Sequence, residues 1–242
     1  MHESGQAPRA RHRVTLVSTN TRDTLTLPDG GRKTIPGGPA FYIGEALRRL
    51  GLRCDLLTGE VADVEVISSP HGEEYVIPAL PPIHIPARLE CEALVLSPIV
   101  REIEADSVPE VEGLLVLDLQ GFVREPGVSS GEVTTKFDLT GLLARADVVK
   151  ASESELDRLT DTSRQTLAGA ILLTTMGERG ALIRLDNHEC FVPARFVETP
   201  YTIGAGDSYL AGFTAALLDG CPPIQAADKA ARFTEDILRQ RR

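Results

Sequence analysis

The stretch YTIGAGDSYLAGF runs from Tyr201 to Phe213 and places three small residues directly before an acid and a run with helical spacing. The small residues are Gly204, Ala205 and Gly206, and the acid is Asp207. Glycine loses more conformational entropy on folding than any other residue, so closely spaced glycines are expected where the backbone must be free of side chains. A strand–loop–helix connection brings free backbone N–H groups and the positive end of a helix dipole together, where a phosphate can reach them. The stretch therefore predicts an anion-binding loop.

The role of Asp207 stays open at this level. A carboxylate in the first helical turn can simply complement the helix dipole, while the glycines serve a tight connection. The same carboxylate can act as a general base toward an alcohol, with the amides beside it holding the phosphoryl group that the alcohol attacks. The sequence has no G-x-x-x-x-G-K-[ST], and the spacing of Gly204, Gly206 and Gly212 is not G-x-G-x-x-G. Neither a P-loop nor a dinucleotide-binding turn is indicated.

The composition argues against several classes of partner and site. A formal net charge of −10 disfavours nucleic acid or an anionic membrane as the main partner. The four cysteines and five histidines are scattered without the spacing of a zinc site or a disulfide scaffold. No apolar run approaches the ~18 residues of a membrane span. The polar N-terminus MHESGQAPRARHR lacks an apolar core, so we expect residues 1–13 to be a disordered tail and the protein to be cytoplasmic.

Hydrophobic patterning predicts an α/β architecture. Five strand-like runs are continuously apolar, namely VTLVS from Val14, ALVLS from Ala93, LLVLDL from Leu114, DVVKAS from Asp147 and AILLTT from Ala170. Strands covered on both faces of a parallel sheet have this pattern. Helical patterns follow at Ala40–Leu50, in FDLTGLLARA and after the glycines. The alternation predicts helices on both faces of a mostly parallel sheet.

Two segments interrupt this alternation. DTLTLPDGGRKTI and VEVISSPHGEEYVIPAL each have strand-like runs around a turn signal. Small hairpins beside a parallel sheet can form a flap over a site at the strand ends. We therefore expect residues near Leu25–Thr34 and Val64–Ile77 to lie outside the central sheet.

The GAGD stretch resembles the C-terminal signature of the ribokinase-like (PfkB) carbohydrate kinases, D-T-x-G-A-G-D followed by a helix. The resemblance implies that Asp207 is the catalytic base and that Gly204, Ala205 and Gly206 form the anion hole. It also implies a ribokinase-like three-layer sandwich. Residues 14–242 would form one kinase domain, with a small β lid from about 24–35 and 64–78.

Three further segments carry the resemblance over most of the chain. GGPAFYIGEALRRLG resembles the family's N-terminal Gly-Gly signature at the acceptor, TTMGERGALI its T-x-G-x-x-G nucleotide segment, and VVKASESEL its K-x-N-x-x-E stretch near the metal and phosphates. The implied acceptor-binding residues are Asp23, Gly37, Gly38, Tyr42 and Gln120; the nucleotide-binding residues are Lys150, Ser152, Thr175, Gly177 and Gly180; the metal residue is Glu155.

Within the family, VLDLQGFVR followed by VVKAS is most similar to the myo-inositol kinase branch. Gln120 would lie at the carboxyl edge of its strand, where an amide that both donates and accepts suits a polyol. Tyr42 stands where many sugar kinases have an Asn, which disfavours a furanose acceptor. Tyr201 replaces the first Asp of the signature, and Ser152 replaces the usual Asn.

Several of these residues also have purely structural interpretations. The Gly37–Gly38 pair can form a turn before a helix, and Asp23 can initiate a turn. Ser152 and Glu155 form S-x-x-E, the pattern of a helix capping box. We interpret Arg124 as a solvated surface residue rather than an anion ligand.

Together these features predict an ATP- and Mg²⁺-dependent kinase that phosphorylates a hydroxyl of a small polyol or sugar, with myo-inositol as the leading candidate. A kinase for another sugar or a nucleoside and a non-catalytic nucleotide- or polyol-binding sensor are the alternatives. An oxidoreductase is disfavoured by the absent G-x-G-x-x-G. Neither nucleic acid nor a membrane is an expected partner, and the resemblance allows a homodimer formed through the lid.

Overall fold

The structure is a computed structural model that describes residues 12–26, 31–69, 72–128, 134–186, 188–195, 197–199 and 202–241. For residues 67–69 and 72–74 only the backbone is described. The predicted tail lies almost entirely outside this range, as do Tyr201 and parts of the predicted turns PDGG (28–31) and PHGE (70–73).

The central sheet has eight strands, of which six are parallel. In sheet order the parallel strands are β10 (Ile171–Thr175), β9 (Val148–Ser152), β8 (Leu114–Asp118), β7 (Ala93–Ser97), β1 (Arg13–Ser18) and β4 (Arg53–Leu57). The antiparallel strands β11 (Gly180–Leu185) and β12 (His188–Pro193) extend the sheet beyond β10. All five predicted apolar strands are confirmed, and their residues are largely buried because helices and loops cover both faces.

Three long helices cover one face of this sheet. They are α1 (Pro39–Arg49), α5 (Ala205–Leu218) and α6 (Pro223–Arg239). Ile43 and Leu47 of α1 and Phe213 of α5 pack with Leu16 of β1 in one buried cluster. Gly51 follows Leu50, the C-cap of α1, and its positive φ of 78° is the backbone conformation that commonly ends a helix.

The opposite face is covered by short helices and loops. The helices are α2 (Thr140–Leu143), α3 (Glu153–Leu156) and α4 (Asp161–Thr166). The predicted helix in FDLTGLLARA is therefore shorter than its pattern, and only Thr140–Leu143 forms a single turn. Leu142 and Leu143 still pack in a cluster with Leu94 and Leu117 of the sheet, which completes the third layer.

A separate four-stranded sheet forms from the two predicted hairpins. Its order is β3 (Arg32–Gly37), β2 (Thr21–Thr26), β5 (Ala62–Ser69) and β6 (Gly72–Val76). Both hairpins are antiparallel, and they join through parallel pairing of β2 with β5. The expectation that these segments lie outside the central sheet is confirmed. We call this second sheet the lid.

The lid packs on the loop that follows β7, at the carboxyl end of the central sheet. Leu25, Val64 and Val66 of the lid form a buried cluster with Ile99 and Val100 of that loop. A fully buried carboxylate holds the loop: Glu102 accepts the N–H groups of Ile99 and Val100, both at 2.7 Å, and the Thr19 hydroxyl at 3.0 Å. Since this carboxylate ties the β7 loop to the β1–β2 connection, it fixes the lid relative to the sheet.

Gly121 allows the segment after β8 to approach the same loop. It lies in a 3-10 turn, Gln120–Val123, and a Cβ atom at this position would be 2.0 Å from the Pro98 carbonyl oxygen. The Gly121 carbonyl also accepts the N–H of Arg101 at 2.9 Å. The two segments can therefore pack at this distance only with glycine here.

We predict that Gly121→Ala lowers the free energy of unfolding by about 1–3 kcal/mol, because the added methyl group must displace backbone atoms. Urea unfolding measures this change. The matched control is Gly141→Ala in α2, where a Cβ would meet nothing within 4 Å. That substitution should be neutral or stabilise by about 0.5–1 kcal/mol, since alanine favours a helix over glycine. Similar losses in both variants would contradict the close approach.

Candidate active site

Two cavities meet at the loop that precedes α5. The first has a volume of about 190 Å³ and lies between the lid and the carboxyl ends of the central strands. The second has a volume of about 630 Å³ and lies between the β10–β12 segment and helices α5 and α6. Thr202, Ala205 and Gly206 line both. A molecule in one cavity therefore lies across a single loop from a molecule in the other.

This loop presents free backbone donors. Gly204 is the N-cap of α5 in the left-handed region, with φ 77°, and Ala205 donates its N–H to the Thr202 carbonyl at 3.0 Å. The Ser208 N–H donates the first i to i−4 hydrogen bond of the helix, to the Gly204 carbonyl at 3.0 Å. In the described chain, the N–H groups of Gly206 and Asp207 have no acceptor. The predicted anion hole thus has its free donors at Gly206 and Asp207, while the amide of Ala205 closes the turn.

Gly204 also permits close contact with the lid side of the site. A Cβ atom on Gly204 would lie 2.3 Å from the Tyr42 ring. Arg241 also contacts this ring: its guanidinium lies 5.0 Å from the ring centroid and donates to the Ile203 carbonyl. Tyr42 is therefore packed between the loop and an arginine that follows α6.

A buried ion pair lies beside Asp207. Lys150 at the end of β9 donates to Asp118 at the end of β8, with 2.7 Å between Nζ and Oδ2, and both side chains are almost fully buried. Burial lowers the pKa of Lys150, but the carboxylates of Asp118 and Asp207 raise it by a larger amount. The pKa of Lys150 therefore lies above its ordinary value. Lys150 is therefore a fixed positive charge within the site.

The same surroundings also raise the pKa of Asp207, which favours its neutral form. The pKa of Asp207 is raised to about 6 as the net effect of several causes. Burial is the largest cause and raises the pKa, Lys150, Arg241 and Arg124 lower it, and Asp118 raises it. A carboxylate with this pKa is ionised at neutral pH and still accepts a proton readily, as a general base requires. The loop therefore combines free amides with a carboxyl group of raised pKa, and the catalytic role of Asp207 stays a prediction.

Most predicted acceptor residues line the smaller cavity. Asp23, Gly38, Tyr42 and Gln120 all do so. Asp23 is buried and accepts a hydrogen bond from the Thr21 hydroxyl at 2.5 Å. Gly37 does not line the cavity. It makes room for Asp23 instead, since a Cβ there would lie 2.0 Å from the carboxylate.

The predicted nucleotide residues divide into three groups. Thr175, Gly177 and Gly180 line the larger cavity, within the β10–β11 strand–turn–strand that the sequence also suggested. Lys150 lines the smaller cavity instead. Ser152 lines neither cavity.

Ser152 and Glu155 form the capping box that their spacing allows. The Glu155 N–H donates to the Ser152 hydroxyl at 3.3 Å, and the Ser152 N–H donates to Glu155 Oε2 at 2.7 Å. Glu155 lines neither cavity, but its charge raises the pKa of nearby Lys150. The capping interpretation is confirmed, and a role of Glu155 toward a metal stays a prediction.

Arg124 corrects the sequence interpretation. It was expected on a solvated surface, yet it is only 6% exposed and lines the smaller cavity. Its exposure depends on the β7 loop and on the lid, which are distant in sequence. Asp118 was overlooked for a similar reason, although its position at the carboxyl end of a buried strand was a usable signal.

Part of the chain matches a known protein family. Residues 124–234 match the family model described as pfkB family carbohydrate kinase. This segment, which is less than half of the chain, resembles the pfkB family. It contains Lys150, Thr175 and Asp207, so the resemblance inferred from the GAGD stretch is confirmed. No curated protein matches the chain.

Solved structures extend the fold assignment to nearly the whole chain. A pyrophosphate-dependent kinase in the ribokinase family, complexed with a pyrophosphate analog and myo-inositol, is 21% identical with a TM-score of 0.72, over 93% of this chain and 95% of that one. A Methanocaldococcus jannaschii nucleoside kinase is 15% identical with a TM-score of 0.70, over 94% and 92%. Arabidopsis thaliana ribokinase, complexed with ribose and ATP, is 15% identical with a TM-score of 0.69, over 94% and 93%. The chain therefore has the ribokinase-like fold.

Two further observations concern membranes and metals. None of the helices in the described part of the chain is long and apolar enough to cross a membrane. Within the same residues, no three His, Cys, Asp or Glu side chains cluster as a metal site would require.

We predict that Asp118→Asn lowers the free energy of unfolding by about 3–5 kcal/mol, because it leaves the Lys150 ammonium buried without its partner. Urea unfolding measures the loss. Asp63→Asn is the control, since the Asp63–Arg22 pair has a similar distance of 2.8 Å but lies exposed. Exposed pairs contribute about 0–1 kcal/mol. Equal losses would mean that the buried pair is not structural.

Proposed function

We propose that this protein is an ATP-dependent kinase that transfers the γ-phosphoryl group to a hydroxyl of a small polyol or sugar. One observation carries the proposal: the two cavities share a loop with free amides and a carboxylate at a helix N-terminus. A phosphotransferase needs this arrangement, because donor and acceptor must approach the same phosphoryl group from opposite sides. The match of residues 124–234 to the pfkB family of carbohydrate kinases supports it.

In this mechanism Asp207 removes the proton of the attacking hydroxyl. The acceptor occupies the smaller cavity, with the reacting hydroxyl at Asp207. The free N–H groups of Gly206 and Asp207 and the dipole of α5 stabilise negative charge on the transferring phosphoryl group. Lys150 keeps Asp207 ionised at neutral pH by lowering its pKa against the effect of burial.

The larger cavity favours a nucleoside triphosphate over pyrophosphate as donor. Beyond the shared loop its lining includes apolar residues such as Val197, Ala231 and Leu238, which suit a base and a ribose. Among the described residues that line this cavity, the one arginine is Arg195, and it already faces the carboxylate of Glu235 at 3.6 Å. Pyrophosphate is small and highly charged, so it would leave this space empty and lack cations there.

Mg²⁺ fits this site if the donor supplies most of its ligands. Mg²⁺ in kinases is held by one or two carboxylates together with phosphate oxygens, so a cluster of three protein ligands is not required. Glu155 is the candidate carboxylate, since its Oε2 accepts the Ser152 N–H and Oε1 has no protein donor in the described chain. The ion would neutralise charge on the donor phosphates.

The acceptor we favour is myo-inositol. Asp23 and Gln120 place an acceptor and a mixed donor–acceptor group on the cavity wall, as a ring of hydroxyls requires. The pyrophosphate-dependent kinase of similar fold was solved with myo-inositol, which supports this choice. Another sugar or a nucleoside is the alternative acceptor.

A coupled ADP-release screen tests the function. We expect turnover of a cyclitol with ATP and little turnover of ribose or nucleosides. Parallel reactions with pyrophosphate in place of ATP should be slow. If ribose gives the highest kcat/KM, the acceptor assignment is wrong; if pyrophosphate outperforms ATP, the donor assignment is wrong. No turnover of any acceptor would contradict a kinase.

We predict that Asp207→Asn lowers kcat by about 10²–10⁴-fold, because it removes the general base and keeps the side-chain volume. ADP binding by calorimetry should be retained, since the loop amides are unchanged. In the wild type, kcat should fall as the pH drops below about 6, where Asp207 becomes protonated. Asp236→Asn, on the exposed face of α6, is the control and should keep normal kcat. Near-normal kcat in Asp207→Asn would reduce Asp207 to a helix-capping charge.

A further inference from the structure

Arg241 closes a ring of contacts around the loop that begins α5. Its guanidinium donates to the Ile203 carbonyl and lies 5.0 Å from the centroid of the Tyr42 ring. The same ring contacts Gly204, the residue after Ile203, so closely that a Cβ on Gly204 would lie 2.3 Å from it. The contacts therefore run from Ile203 through Gly204 and Tyr42 to Arg241, and from there back to Ile203.

A favourable interaction with the dipole of α6 does not account for the Arg241 side chain. A cation near the end of a helix usually interacts with the last carbonyl groups of that helix. The guanidinium of Arg241 instead reaches a carbonyl 38 positions away in the sequence. Arg232 and Arg239 pair with carboxylates of α6 itself, at 2.8 and 2.6 Å, whereas among the described residues no carboxylate pairs with Arg241. The guanidinium is therefore directed at the loop and not at its own helix.

The segment that follows α6 is also held against α1. Gln240 accepts a hydrogen bond from Arg49 at the end of α1, with 2.6 Å between the two side-chain atoms. Arg241 contacts Tyr42, which lies in the first turns of the same helix. Two successive residues therefore contact different turns of α1. The Gln240 contact restricts the path of the chain after α6, and so it restricts the position of Arg241.

Arg241 lines neither cavity, but the residues that it contacts do. Tyr42 and Ile203 line the smaller cavity, and Ile203 also packs against the buried cluster of the lid. Gly204 is the N-cap of α5, so its position determines where the first turn of that helix and its Asp207 lie. The ring of contacts thus fixes the loop on which the proposed transfer chemistry depends.

The charge of Arg241 also acts on Asp207. Burial raises the pKa of Asp207, while the positive charge of Arg241 is one of those that lower it. The charged groups around Asp207 come from several elements: Asp118 of β8, Arg124 after β8, Lys150 of β9, Arg241 after α6 and, across the smaller cavity, Asp23 of the lid. Removal of one positive charge raises the pKa of Asp207 and favours its neutral form.

We propose that Arg241 is a positioning residue for phosphoryl transfer, which holds the Ile203 carbonyl and the Tyr42 ring and thereby sets the start of α5 against the smaller cavity. It acts through residues that line the cavity. This inference rests on the proposed function, because it treats Asp207 as the general base. It makes transfer depend on the segment after α6, which lies outside the GAGD loop.

NMR of the protein without any substrate tests the positioning. The amide resonance of Gly206 should shift in both Arg241→Gln and Arg241→Lys, because an ammonium cannot hold the carbonyl and stack on the ring as a planar guanidinium does. The carboxyl carbon of Asp207, assigned with Asp207→Asn, should titrate near pH 6 in the wild type. Its midpoint should move to higher pH in Arg241→Gln and stay closer to the wild-type midpoint in Arg241→Lys, which keeps the charge.

Steady-state kinetics with ATP and myo-inositol separate the position of the loop from the charge. At about pH 8, where Asp207 is ionised, Arg241→Gln and Arg241→Lys should both lower kcat by about 10- to 100-fold, since small displacements of a reacting group are costly. The KM values for ATP and myo-inositol should change by less than about threefold, because Arg241 lines neither cavity.

Arg232→Gln is the matched control. Arg232 lies exposed on α6 and pairs with Asp228 at 2.8 Å, so this substitution removes the same charge and leaves the ring of contacts intact. The Gly206 resonance, the Asp207 midpoint and kcat should all be unchanged. Urea unfolding shows whether each variant is folded under the assay conditions. If Arg241→Gln does not fold, Arg241→Lys still tests the Gly206 shift and the loss of kcat.

Several outcomes would overturn the inference. An unchanged Gly206 resonance in both Arg241 variants, or equal changes in Arg241→Gln and Arg232→Gln, would leave Arg241 without a positioning role. A moved Asp207 midpoint with normal kcat at about pH 8 would reduce its role to electrostatics. If the wild type turns over no acceptor but the NMR changes are confined to the Arg241 variants, the proposed function fails and the positioning of the loop stands.

Discussion

The buried ion pair between Lys150 and Asp118 is the constraint on which the site depends. It joins the carboxyl ends of two neighbouring strands, directly beneath the loop that begins α5. A Cβ on Gly206 would lie 3.4 Å from Lys150 Cε, so the loop rests closely on the lysine. Because Lys150 is held by Asp118, its charge has a fixed position relative to Asp207. The pair thus links the packing of the central sheet to the protonation of the loop carboxylate.

Close backbone contacts fix the residues on the lid side of the site. Glu102 holds the β7 loop from within, and Gly121 lets the segment after β8 pack against it. Gln120 and Arg124 flank that glycine, so their positions follow from this contact. Tyr42 bridges from α1 to Gly204. The smaller cavity is therefore built from segments distant in sequence, each fixed by a short-range contact.

The sequence predicted what local patterns determine. The apolar strands, the two lid hairpins, the capping box at Ser152 and the GAGD loop all have signals within a few residues, and each is found where expected. The burial of Arg124, the pairing of Lys150 with Asp118 and the support of Asp23 by Gly37 could not be predicted in this way. They arise from contacts across many residues, such as the 32 positions that separate Asp118 from Lys150. The helix in FDLTGLLARA is shorter than predicted. The spacing of its apolar residues indicates which face is buried, but it does not determine how many residues are helical.

The thin partition between the two cavities has a consequence for ligand design. Thr202, Ala205 and Gly206 border both spaces, so their contents are separated by little more than one loop. On the proposed function, a single compound that links a polyol to a nucleoside through a short oligophosphate would occupy both cavities at once. Once one end is bound, the other is held at a high effective concentration, and affinity rises without any new contact. The affinity gained by such a compound would come from the short distance between the two cavities and not from new contacts within either one.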